Sequence, residues 1–280
     1  MKKLFSILIL LGVIFISNDV HSQKKYTKAT WLWYTDTITD EQTVKFLIDK
    51  DVTIVYLQID PTLSNDHYAT FINGMKEANI EVQALDGAPD WNTTNFDTLW
   101  AWLNQYHQAY PTSKFTAVHL DVEPYLSTRW TENEKQAIYQ YQTLLQHAQR
   151  QTRDSGMKLE IDIPFWYDEI LYTNTLGKGN LAEWIISKAD GVSIMAYRNT
   201  VPALKSITKN EMHYAKMYET PIVIGVETMH FPEEPQLSFA TKSEKSMNRM
   251  LNQVIRHYAK NRYFDGVAIH HVHSWGMLKK

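Results

Sequence analysis

Eight short runs of β-branched and apolar residues recur along the chain: Ala29–Tyr34, Val52–Asp60, Ile80–Asp86, Phe115–Glu123, Lys158–Ile163, Gly191–Tyr197, Pro221–Glu227 and Asp265–Val272. Each is long enough for a strand and short for a helix. Between them lie amphipathic stretches with helical spacing. Ser64 can cap a helix in which Tyr68, Phe71, Ile72 and Met75 fall on one face. Thr131 and Glu134 have the spacing of a capping box at the head of a longer helix reaching about Arg153. Pro111 closes the helix that carries Trp100 and Leu103. Thr241 or Ser243 opens another, with Met247, Leu251, Val254 and Tyr258 as its buried stripe.

Strict alternation of strands and helices implies parallel strands joined by right-handed crossovers. Eight such units predict a single α/β domain, a (β/α)8 TIM barrel, with a doubly wound open sheet as the alternative. Only Ser274 to Lys280 follow the last strand, so a full eighth helix is not expected.

Composition narrows the setting. A formal charge of −3 offers no basic face, so nucleic acid is not an expected partner. Lys2 and Lys3 precede an apolar run from Leu4 to Ile16, followed by small residues around Ser22. This reads as a secretory signal peptide over residues 1–22, with the barrel over residues 23–280. The run is shorter than the ~20 residues that span a bilayer, so no membrane span is expected after cleavage. With no cysteine the chain can form no disulfide. A secreted or periplasmic monomer is expected.

In a TIM barrel, chemistry sits at the C-terminal ends of the strands. Here those ends are rich in acids and aromatics: Trp33, Asp60, Asp86, His119, Asp121, Glu123, Asp162, Trp166, Tyr197, Arg198, Glu227, His270 and, just beyond, Trp275. Buried carboxylates do not stabilise a barrel unless they are paired, so this bias points to a site. The fourth run is the sharpest. In FTAVHLDVEPY, His119, Asp121 and Glu123 alternate and share one face. Carboxyls at i and i+2 lie ~6.5–7 Å apart at the backbone, close enough for one ionised group to keep the other protonated. A structural network with Arg198 or a histidine is the other reading of these acids.

The strand-4 Asp-x-Glu, the Met195-Ala196-Tyr197 of the sixth run and the aromatic after the eighth resemble the family 18 chitinase-like glycosidases. The resemblance implies a TIM barrel that hydrolyses a polysaccharide or oligosaccharide containing N-acetylhexosamine, with no cofactor and no metal. It makes Glu123 the general acid, Asp121 the group that orients the substrate acetamide, and Tyr197 a hydroxyl donor to the same group. Trp33, Asp60, Asp86, His119, Asp162, Trp166, Arg198, Glu227, His270 and Trp275 become candidates for substrate binding. The chain departs from the family pattern at Thr116 and His119, where the family has Asp, and at His270, where it has Trp; Trp275 is the candidate substitute. His119 is expected to donate a hydrogen bond to Asp121, keeping that group ionised and Glu123 protonated.

Three alternatives stay open. Glu123 and Glu227 could form the acid/base and nucleophile of a two-Glu retaining glycosidase. His271 and His273, approached by His119 and His230, could ligate Zn²⁺. A chitinase-like lectin could keep the groove without turnover.

Overall fold

The computed structural model describes residues 26–37 and 41–280; the predicted signal peptide lies outside them. Eight parallel strands close into a barrel in the order β1-β10-β9-β8-β5-β4-β3-β2. They are β1 Thr27–Leu32, β2 Ile54–Gln58, β3 Glu81–Asp86, β4 Ala117–Leu120, β5 Lys158–Pro164, β8 Gly191–Met195, β9 Ile222–Glu227 and β10 Phe264–His270. Each coincides with one of the eight runs, so the barrel is established and the open sheet is excluded. The fourth run ends sooner than the sequence suggests. Its ladder stops at Leu120, and Asp121 to Glu123 continue past it into a 3₁₀ turn at Pro124–Leu126.

The helices follow their stripes. In α2 (Asn65–Glu77), Ser64 is the N-cap and Tyr68, Phe71, Ile72 and Met75 are buried. In α8 (Glu244–Tyr258), Ser243 is the cap, and Met247, Leu251, Val254 and Tyr258 are buried. Helix α3 (Thr93–Ala109) stops before Pro111. Helix α4 (Thr128–Ser155) corrects the predicted box. Ser127 caps it, the chain is non-helical at Asn133, and Asn133 Oδ1 then caps the continuation by accepting from the Gln136 amide at 3.1 Å. A capping residue thus lies between Thr131 and Glu134. The other helices are α1 Glu41–Asp49, α5 Leu181–Ile186, α6 Val201–Ile207, α7 Lys209–Tyr218 and α9 Val272–Gly276. At five residues, α9 replaces a full eighth helix. An antiparallel hairpin, β6 Leu171–Asn174 and β7 Gly177–Asn180, is inserted after β5 and had no counterpart in the sequence reading.

Two packed regions result. The larger joins the outer faces of the strands to the helices. The smaller is the barrel interior, with Ala29, Trp31, Tyr56, Leu85, Val223 and Ala268. Space for the Trp31 indole comes from Gly225, where a Cβ would lie 2.9 Å from that ring. The interior is not wholly apolar: His119, Asp162, Gln83 and Ser193 are buried in it. Buried polar groups of this kind require partners, and the partners define the floor of the site.

Candidate active site

The floor is built from β2, β3, β4 and β5. His119 is fully buried and stacks on Tyr56, with ring centroids 3.9 Å apart. Its Nδ1 lies 2.8 Å from Gln83 Oε1. Its Nε2 is 2.9 Å from Asp162 Oδ1, although the pair is not aligned as a hydrogen bond. The other oxygen of Asp162 accepts from Trp31 Nε1 at 2.8 Å. The expected His119–Asp121 bond is therefore replaced by a His119–Asp162 contact. The register pairs His119 with Glu160, and Asp162, two residues further along β5, meets His119 Nε2, whereas Asp121 lies past the end of β4.

Above this floor sit Asp121 and Glu123, within hydrogen-bonding reach of each other. Gly87 lets the β3 end approach so closely that a Cβ there would lie 2.0 Å from the Asp121 carbonyl oxygen. Burial pushes the Asp121 carboxyl well above the ordinary range, and the charges of Asp162 and Glu123 push it further. Burial also raises Glu123, as does the charge of Asp162; hydrogen bonds with Tyr125 and Asp121 act against that rise. Burial and neighbouring charge thus favour the protonated form of Asp121, and the hydrogen bond between the two carboxyls raises Asp121 while lowering Glu123. This reverses the expected order, because the charge next to Asp121 is the carboxylate of Asp162, not an imidazolium. Asp121 Oδ1 is enclosed without a hydrogen-bond partner among the described residues.

Opposite them is a second network. Trp33 Nε1 donates to His270 Nε2 at 2.9 Å, and His270 Nδ1 donates to Glu227 Oε2 at 2.8 Å. The indole can only donate, so Nε2 is the acceptor and the imidazole is the neutral Nδ1–H tautomer. The other oxygen of Glu227 accepts from the backbone amides of Thr228 and Met229 at 2.6 and 2.7 Å. Tyr197 lies beside this second network. Its ring centroid is 5.9 Å from that of His270. Burial raises its hydroxyl far above the ordinary phenol range, with Glu227, Asp121, Asp162 and Glu123 adding to the rise.

Several candidates lie elsewhere. Asp60 accepts from the amide and hydroxyl of Thr62 in a loop turn, which lowers its pKa and engages Oδ1. Asp86 is out of phase with the inward-facing Leu85, so it turns toward α2 and Tyr68. Burial raises its carboxyl to about 6, against a hydrogen bond from the Gly87 amide. Arg198 donates to the Tyr197 carbonyl at 2.7 Å and stacks over Phe165, so it pairs with none of the acids. Trp275 cannot stack on a ligand: α9 buries it against Phe46, with its Nε1 bonded to Glu244. Trp166 reaches the rim, edge-on to Tyr125 at 4.9 Å.

Tyr125 is the residue that the sequence reading missed. Its hydroxyl donates to Glu123 Oε2 at 2.6 Å. Behind the acids, the hydroxyls of Tyr141 and Tyr167 are buried without partners among the described residues. His271 and His273 stack with centroids 6.3 Å apart, and the described residues contain no group of three or more His, Asp or Glu placed to hold a metal ion. No described helix is long and apolar enough to cross a membrane.

No family model and no curated protein sequence matches the chain. Solved structures do match in fold. A chitinase from Chromobacterium violaceum is 13% identical with a TM-score of 0.52, over 90% of this chain and 98% of that one. The spore cortex-lytic enzyme SleL of Bacillus megaterium is 14% identical with a TM-score of 0.55, over 93% and 75%. A GH18 chitinase from Cycas revoluta, in complex with (GlcNAc)3, is 13% identical with a TM-score of 0.50, over 89% and 95%.

Proposed function

We propose that the protein is a glycoside hydrolase that cleaves a polymer containing N-acetylhexosamine, by a route in which the substrate's own acetamide is the nucleophile. The carrying observation is the pair of buried carboxyls, Asp121 and Glu123, within hydrogen-bonding reach of each other at the barrel mouth and so able to share a proton, with Asp121 Oδ1 unpartnered among the described residues. The fold neighbours, two chitinases and a spore cortex-lytic enzyme, support the same class of substrate.

The chemistry follows from that proton. A bound acetamide N–H needs an acceptor, and Asp121 Oδ1 supplies one that is stronger when the carboxyl is ionised. Substrate binding therefore favours moving the proton from Asp121 to Glu123. Glu123 then delivers it to the glycosidic oxygen as the C1–O bond breaks and its electron pair stays on the leaving oxygen. The acetamide oxygen closes on C1 to form an oxazolinium, whose charge Asp121 offsets at close range. Glu123, now a carboxylate, removes a proton from the water that opens the ring. Tyr197 is placed to donate to the acetamide oxygen. Trp33 and His270 form an uncharged wall suited to a sugar face.

The two-Glu alternative requires Glu227 to attack C1. Both of its oxygens are already acceptors, which disfavours that role. A secreted or periplasmic monomer, released by cleavage near residue 22, completes the proposal. Incubation of the purified protein with chitin oligosaccharides and with peptidoglycan, beside Glu123→Gln, is the test. Binding without products, unchanged in the variant, would favour the lectin reading; no binding and no products would refute both.

A further inference from the structure

Glu123 is held by more than its partnership with Asp121. The chain leaves β4 at Leu120 and turns at Pro124–Leu126, with the Leu126 amide bonded to the Glu123 carbonyl at 3.0 Å. That turn folds Tyr125 back so that its hydroxyl meets Glu123 Oε2 at 2.6 Å. The Tyr125 ring is itself fixed, edge-on to Trp166 at 4.9 Å and to Tyr167 at 6.1 Å. The donor is thus rigid, and the bond it makes is short and directed at one named oxygen.

We propose that Tyr125 is the positioning residue of the catalytic acid: by occupying Oε2 it confines the mobile proton of Glu123 to Oε1 and stabilises the carboxylate that remains after the proton has left. The proposal rests on the glycosidase reading for its consequence in turnover, but the contact itself can be measured without turnover.

The groups around Glu123 show why such a donor matters. Asp162 from β5 presents negative charge and burial adds to its effect, whereas the hydrogen bond with Asp121 from the end of β4 acts against them. His270 from β10 adds a neutral imidazole. The hydroxyls of Tyr141, Tyr167 and Tyr197 face the same group from α4, from the 3₁₀ segment after β5 and from the end of β8. Among the described residues, no lysine or arginine forms an ion pair with Glu123. Without the Tyr125 bond, its carboxylate would face the charge of Asp162 with only a neutral imidazole and the Asp121 carboxyl beside it. Glu123 must ionise in the first half of the reaction and take a proton in the second, so a carboxyl held permanently protonated would stall. Tyr125 favours the ionised form and leaves the protonated oxygen free to face the leaving group.

Tyr125→Phe keeps the ring and its packing while removing the donor. Carbon-13 NMR of the full chain carrying labelled glutamate carboxyls, with the Glu123 resonance assigned by its loss in Glu123→Gln, reads the titration directly. The expected result is an upward move of the Glu123 titration by about one pH unit, since a hydrogen bond to a charged group is worth roughly that much. On chitin oligosaccharides, kcat should fall roughly tenfold with KM little changed, and the alkaline limb of kcat/KM should move up with the titration. A Glu123 titration that superimposes on that of the parent protein overturns the proposal, whatever the activity. A shifted titration in a protein whose parent cleaves no N-acetylhexosamine polymer keeps the Tyr125–Glu123 coupling and rejects the glycosidase reading.

Discussion

His270 donates from Nδ1 to Glu227 Oε2 at 2.8 Å, and that single bond decides how both side chains can be used. With Thr228 and Met229 amides on Oε1, Glu227 has the environment of a structural carboxylate. Its effect is to orient an imidazole that also accepts from Trp33. Glu227, at the end of β9, therefore acts on the site through His270.

Glu227→Gln should lower kcat about tenfold, because the amide would set an N–H against either the backbone amides or His270 Nδ1. Glu123→Gln should lower it by at least about a thousandfold, as expected for removal of the general acid. Steady-state rates on a defined oligosaccharide compare the two. A glycosyl ester on Glu227, seen by mass spectrometry with a slow fluorinated substrate, would instead establish the two-Glu mechanism.

The barrel was legible because its strands are buried on both faces and so read as continuous apolar runs, bounded by helical stripes. The site was legible only where a strand end and the inward phase coincide, as for Asp121, Asp162, Glu227 and His270. Asp86 lies as near a strand end as these, but one residue out of phase, and faces a helix. Proximity to the end of a strand is visible in a run of letters; its phase depends on which neighbour points inward. Trp275 follows the last strand closely, yet α9 carries it back among Phe46 and Glu244. Tyr125 was hidden for a related reason. It belongs to a turn, and only the fold of Pro124–Leu126 brings its hydroxyl back to Glu123.

If the acetamide is the nucleophile, a thiazoline that mimics the oxazolinium should bind at least about a hundredfold more tightly than the parent sugar. Calorimetric titration measures this. Asp121→Ala should remove most of the advantage, since the contact with the ring nitrogen is lost. Equal affinity of the parent protein for sugar and thiazoline would rule out the substrate-assisted route.

His119 now carries a different expectation from the one its sequence position suggests. It joins Gln83, Tyr56 and Asp162 in the sealed floor, so its removal should act on stability before catalysis. His119→Ala should cost about 3 kcal/mol, from the cavity and from the loss of a contact to buried Asp162. His119→Gln should cost less. His119→Asp, which restores the family residue, should be the worst of the three, because it places a second carboxyl against Asp162. Urea denaturation of the three variants gives the order; a stable His119→Asp would show that the floor tolerates another acid.

Two carboxyls outside the proposed mechanism should make the fold itself sensitive to pH. Burial raises Asp86 to about 6 and Glu211, at the first turn of α7, to about 8. Neither oxygen of Glu211 has a hydrogen-bond partner among other described side chains, and Asp168 adds a smaller upward push. A carboxyl whose folded value lies above its unfolded one binds its proton more tightly in the native state. Its contribution to stability is complete below about pH 4, where both states are protonated, and declines as pH rises to the folded value. For Asp86 the decline runs from about pH 4 to 6, and for Glu211 from about 4.5 to 8, worth up to about 3 and about 5 kcal/mol at 1.36 kcal/mol per unit. Asp86→Asn can still accept from the Gly87 amide, so it should flatten the lower window without losing that bond. Glu211→Met should flatten the upper window and raise stability at pH 8, because an apolar chain of similar length needs no partner in that layer. Glu211→Gln should flatten the slope equally but raise the level less, since its amide would inherit the missing partners. Urea midpoints of the parent and the three variants, taken between pH 4 and 9, separate slope from level. A parent protein whose stability is level from pH 5 to 8 would contradict both assignments.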